Sequence, residues 1–121
     1  MKTKLLLIDD EVITLRMTKM MLNQHQFDVE TCLATSEAIS VLTSCDIDLI
    51  LLDISMPTID GFDFIKLMSS LHIRVPVIFL SNQNDDYTVK KALSEGVKRC
   101  VSKSAEITQL PTIIKEVLNV A

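Results

Sequence analysis

No apolar stretch in this chain approaches the roughly 20 residues that span a bilayer, and Met1-Lys2-Thr3-Lys4 leads into an apolar run too short for a secretory signal. A cytoplasmic location, away from any membrane, is the expectation. Positive charge is not in excess: 12 Lys and Arg against 16 Asp and Glu leave a formal charge of −4, with no basic cluster. Nucleic acid is therefore not an expected direct partner. Cys32, Cys45 and Cys100 have neither paired nor metal-ligand spacing, so reduced, partly buried thiols are expected instead of a disulfide or a zinc site. Internal repeats, low-complexity tracts and linkers are missing as well. What remains, 121 residues that are 48% hydrophobic, suffices for one core and one domain over residues 1–121.

Four apolar runs stop at polar residues: Leu5-Leu6-Leu7-Ile8 at Asp9-Asp10, Leu49-Ile50-Leu51-Leu52 at Asp53, Val77-Ile78-Phe79-Leu80 at Ser81, and Cys100-Val101-Ser102 at Lys103. Strand-like segments at about 4–9, 28–33, 48–53, 75–81 and 99–102 alternate with helical periods at about 13–25, 36–44, 61–71, 86–95 and 106–119. Such alternation predicts a parallel α/β sheet, doubly wound, with helices on both faces. The continuously apolar first, third and fourth strands belong at its centre. The alternating second and the short fifth suit its edges. Thr35 or Ser36 can cap the second helix and Asp85 the fourth, while Gly96 can end the fourth in the left-handed region. In the last helix Ile107, Leu110, Ile114, Val117 and Leu118 form an inward stripe, with Pro111 near its beginning. Met17, Met20, Met21 and Met68 read as core or helix-face filler, and His25 and His72 as surface residues near helix ends.

The carboxyl ends of parallel strands share one edge, so Asp9, Asp10, Asp53, Ser81 and Lys103 can converge there. Two carboxylates about 4 Å apart repel by about 4 kcal/mol at an effective dielectric near 20. Gathering three of them implies a hard, oxygen-ligated divalent cation, for which magnesium is the match. Asp53, followed by the turn residues Ser55-Met56-Pro57 and Asp60-Gly61, sits where a carboxylate can attack phosphorus and form an acyl phosphate. Ser81 and Lys103 would then give a hydroxyl donor and a positive charge to the phosphoryl oxygens.

Over essentially its whole length the chain resembles the receiver domains of two-component response regulators, through Asp9-Asp10, Asp53, Met56-Pro57, Asp60-Gly61, Ser81 and Lys103 in order and approximate spacing. The resemblance implies a flavodoxin-like (βα)5 fold with strand order 2-1-3-4-5. It makes Asp53 the phosphoacceptor for phosphohistidine of a histidine kinase or phosphotransfer protein. Asp10, Asp53 and the Ser55 backbone carbonyl become direct magnesium ligands, and Asp9 a ligand through water. Such a domain is a switch or relay, not a conventional enzyme, although it can catalyse its own phosphorylation and dephosphorylation. Its output goes to an effector protein or output domain, through a face of the fourth and fifth helices and last strand that also allows a homodimer.

Three positions, Cys100, Ser104 and Asn82, depart from the family's usual pattern. Cys100 stands where a switching Tyr or Phe is common, which implies signalling through loops and helices, pure relay, or a small core residue. Ser104 replaces the proline that usually follows the lysine in a cis bond, and because a cis bond to serine would cost about 2.5–4 kcal/mol, a trans bond is expected. Asn82 is larger than the usual Ala or Gly. Ser55 and Gln83 offer no carboxylate to orient an attacking water, which predicts a moderately long-lived phosphoryl group. The alternatives are a degenerate receiver that binds its partner without phosphorylation, and an aspartyl phosphatase, whose Asp-x-Asp spacing Asp9-Asp10 lacks.

Overall fold

A strand apolar on consecutive residues is stable only when both its faces are covered, and the central strands satisfy this. A computed structural model of the chain describes residues 2–54, 61–82 and 85–118. Its strands are β1 (Lys4–Ile8), β2 (Asp28–Cys32), β3 (Leu49–Asp53), β4 (Val77–Ser81) and β5 (Arg99–Ser102), all parallel, in the order β2-β1-β3-β4-β5. This is the flavodoxin-like order. Every residue of β3 and β4 is buried, whereas β2 alternates and β5 is only partly covered, as edge positions require.

The helices are α1 (Val12–Gln24), α2 (Thr35–Ser44), α3 (Gly61–Ser70), α4 (Asp86–Ser94) and α5 (Leu110–Val117). Alternate strand side chains feed two apolar layers. Leu5, Leu7, Leu49, Leu51, Ile78, Leu80 and Val101 pack with Leu15 and Leu22 of α1 and Leu110, Ile113 and Ile114 of α5. Leu6, Ile8, Ile50, Leu52, Val77 and Phe79 pack with Ala38 of α2, Phe64 and Met68 of α3 and Ala92 of α4. Fully burying one such side chain contributes roughly 1.5–3 kcal/mol.

Several local expectations change. Neither Thr35 nor Ser36 caps α2: the cap position is Ala34, in extended backbone and with no side-chain bond, because the helix begins one residue before the polar pair can serve. Asp85 does cap α4. Its carboxylate accepts the Thr88 N–H at 2.7 Å, and that bond holds the carboxyl below its usual range. Gly96, at φ +96°, closes α4 while its N–H and that of Val97 return to Leu93 and Ala92 carbonyls. The last helix is shorter than its periodicity suggests, since Ile107–Gln109 form a 3-10 turn before α5. Pro111 is the cause: it has no N–H for the Ile107 carbonyl, so regular α geometry starts beside it. Ile113 joins the buried stripe.

Met17 and Met20 are not core residues, at 66% and 63% exposed. The buried line of α1 runs through Leu15, Thr18 and Leu22, and two residues further along a helix points roughly 200° away. Met68 is buried and Met21 partly so, while His25 and His72 are exposed. Cys32, Cys45 and Cys100 form no disulfide. Burial, then the fields of Glu37 and Glu30, push the Cys32 thiol up to about 11. At about pH 8, where an ordinary thiol is partly ionised, iodoacetamide is expected to modify Cys32 more slowly than Cys45. Equal rates in the native protein, followed by peptide mass spectrometry, would contradict its burial.

Candidate functional site

The carboxyl edge of the sheet is extended past the strand ends by backbone bonds that fix the polar residues. The Asp9 N–H donates to the Cys32 carbonyl at 3.1 Å, the Ile54 N–H to Leu80 at 2.9 Å, and the Lys103 N–H to Ser81 at 2.8 Å. Asp9, Asp53 and Ser81 are therefore buried to 1%, 3% and 3% exposure, while Asp10 remains exposed beside them. Register sets Asp53 against Leu80 and Ser81 against Ser102, which brings the serine to the same rim as the lysine that follows β5.

Side chains 50 and 94 positions apart meet there. Lys103 Nζ donates to Asp53 Oδ2 at 2.6 Å and to Asp9 Oδ2 at 3.2 Å. Asp9 Oδ1 accepts the Glu11 N–H at 3.0 Å, an orienting bond, and the Thr14 hydroxyl donates to the Glu11 carboxylate. Asp9, Asp10 and Asp53 each offer a carboxylate oxygen, all within 4.8 Å of one another. Burial raises the Asp9 carboxyl above its usual range; the Glu11 N–H lowers it, the nearby Asp53 raises it and Lys103 opposes the rise. For Lys103 burial works against the charge, but the Asp53 hydrogen bond and the fields of Asp53 and Asp9 outweigh it, so its ammonium is held above the usual lysine range. The group opens into a cleft of about 530 Å³ whose walls include Glu11, Thr14, Asn82 and Ser104.

Asp9, Asp10, Asp53, Ser81 and Lys103 are thus assembled from four strand ends. Ser55, Met56-Pro57, Asp60 and Gln83 lie outside the described residues, so the expected Ser55 carbonyl ligand is among them. The Lys103–Ser104 bond is trans, as expected, since no cis peptide bond occurs among the described residues. Cys100 is partly buried opposite Phe79 in the layer shared with α3 and α4, where a small core residue fits.

The match to known proteins follows the same outline. The family model described as response regulator receiver domain matches residues 5–115. This chain belongs to that family. Receiver domains of response regulators are phosphoacceptors in two-component systems, and the acidic group above corresponds to the pocket at which they typically bind Mg2+. Among relatives of the receiver domain, the response regulator SaeR of Staphylococcus aureus is 31% identical over 116 residues, covering 96% of this chain and 50% of SaeR. The chain spans about half the length of the curated relatives it matches. A receiver domain protein of Clostridium thermocellum is similar in structure at TM-score 0.85 and 26% identity, covering 97% of this chain and 94% of that one. The receiver domain of a Francisella response regulator reaches TM-score 0.88 at 23% identity, covering 98% of each chain, and shows the shared fold.

Glu11, Thr14 and Glu106 have contacts in or beside the site that sequence reasoning did not assign. Only adjacency to the Asp pair could have drawn attention to Glu11. Gly61 matters through its size. A Cβ there would lie 2.7 Å from Ile54 Cγ2 and 3.3 Å from Phe79 Cζ, and Ile54 directly follows Asp53. Gly61→Ala is expected to destabilise the receiver domain by about 1–3 kcal/mol through overpacking and to slow phosphorylation, measured by urea unfolding and acetyl phosphate uptake. Wild-type values in both would show that α3 can retreat without disturbing Ile54.

Proposed function

We propose that Asp53 accepts a phosphoryl group from the phosphohistidine of a histidine kinase or phosphotransfer protein, in a domain comprising residues 1–121. The observation that carries this reading is the 2.6 Å contact of Lys103 Nζ with Asp53 Oδ2, in a group where three carboxylates face one ammonium. Three negative charges and one positive leave an excess of two, and the donors are all hard oxygens, which suits a divalent ion. Asp10 and Asp53, with the Ser55 carbonyl, would hold magnesium directly. Asp9, already engaged by Glu11 and Lys103, would hold it through water. The chemistry that magnesium supplies when bound is charge neutralisation on the transferred group.

An Asp53 carboxylate oxygen forms the new bond to phosphorus as the phosphorus–nitrogen bond of the donor breaks, and its electron pair returns to the imidazole. Lys103 pairs with the phosphoryl charge and Ser81 donates its hydroxyl to a phosphoryl oxygen. Occupancy is then coupled to α4, for which the aromatic contact of Phe62 on Phe79 provides a path. The rings meet edge to face at 5.5 Å between centroids, and Lys91 of α4 lies 4.3 Å from the Phe62 centroid. The output partner is an effector protein or output domain on the face of α4, β5 and α5, where a second copy can also dock. Incubation with acetyl phosphate and magnesium, followed by borohydride reduction and peptide mapping, should mark Asp53. An unmodified wild-type protein would favour a phosphorylation-independent binding module.

A further inference from the structure

Lys103 leaves an edge strand on a loop without proline, and yet its ammonium is aimed at two buried carboxylates. The loop is closed by its own neighbours. The Glu106 N–H donates to the Ser102 carbonyl at 2.9 Å, and the Ser102 N–H donates in return to Glu106 Oε1 at 3.2 Å. The Ala105 N–H donates to Ser102 Oγ at 3.3 Å, and the Ser102 and Ser104 hydroxyl oxygens lie 3.2 Å apart. Lys103 is the first residue inside that bracket. Its own N–H is held by the Ser81 carbonyl of β4. Successive N–H groups of a strand point to opposite sides, so the Ser102 N–H faces away from β4, toward the edge that no described strand pairs. Glu106 fills that place.

Resting on the reading of Asp53 as phosphoacceptor, we propose that Glu106 is a positioning residue for phosphoryl transfer: by accepting the Ser102 N–H it fixes the turn from which Lys103 reaches the phosphoryl group. It touches neither Asp53 nor the incoming group. Because the Ser102 N–H lies at an edge that water can reach, removing Glu106 leaves a donor that water satisfies, and the main loss is aim instead of stability. The requirement is for an oxygen acceptor at that distance, which glutamine also has and alanine lacks.

The test compares wild type, Glu106→Ala and Glu106→Gln in acetyl phosphate with magnesium, following the rate of Asp53 phosphorylation, the magnesium midpoint and the urea midpoint. Glu106→Ala is expected to lower the maximal rate about threefold to tenfold, the worth of one hydrogen bond, with the magnesium and urea midpoints little changed. Glu106→Gln should restore the rate to within about twofold, because the acceptor geometry returns. Wild-type rates in Glu106→Ala, or an equal loss in Glu106→Gln, overturn the inference alone. A wild-type protein that takes no phosphoryl group overturns the reading of Asp53 and this inference together. A fall in the urea midpoint that accounts for the whole rate loss assigns Glu106 to folding and also overturns it.

Discussion

Asp53→Asn is expected to take up no phosphoryl group from acetyl phosphate and to lose the magnesium-dependent response to beryllofluoride, while its circular dichroism stays that of the wild type. The physical grounds are separable. An amide oxygen is too weak a nucleophile to form the acyl phosphate, and the substitution removes one of three anionic oxygen donors from the group. The fold should persist because Asp9 still accepts Lys103 Nζ at 3.2 Å, and the repulsion between Asp9 and Asp53 disappears with the charge. Phosphorylation of Asp53→Asn at the wild-type rate would locate the acceptor elsewhere.

Lys103→Met should be the most destabilising change within the site. Its ammonium serves two carboxylates that are almost wholly buried, and its own side chain is 16% exposed. Methionine keeps the apolar stem but leaves the carboxylates facing one another without a cation. Removing one member of a buried ionic group costs about 3–5 kcal/mol, so a loss of about 3 kcal/mol is expected in urea unfolding with a chelator present. Added magnesium should then stabilise Lys103→Met more than wild type, because the ion meets a more negative site and binds only the folded form. Phosphoryl transfer should fall as well. A variant as stable as wild type in chelator would show that the contacts to Asp9 and Asp53 contribute little to folding.

The parts of this fold that could be read in advance are those set by continuous burial. Leu5 to Ile8, Leu49 to Leu52 and Val77 to Leu80 admit only covered strands, and the polar residue ending each run marks the rim. The order of strands came from the family likeness and not from periodicity, which does not say which parallel neighbour each strand takes. At the site, the convergence of Asp9, Asp10, Asp53, Ser81 and Lys103 was legible because each lies at or just past the carboxyl end of a strand. The exposure of Met17 and Met20 was not, since hydropathy does not report which side of α1 meets the sheet. The 3-10 turn before Pro111 was hidden by a stripe that runs through both helix types. The turn closed by Ser102 and Glu106 was missed because its spacing is one residue longer than the usual Ser-x-x-Glu capping signal; the reciprocal bonds that define it depend on where an edge strand ends.

The sheet also acts as a partition. Its upper and lower apolar layers have no buried side chain in common: one belongs to α1 and α5, the other to α2, α3 and α4. Substitutions confined to opposite layers should therefore combine additively. Over evolutionary time, the helices on one side can drift toward new partners without forcing compensating changes on the other, while both continue to frame the same acidic rim.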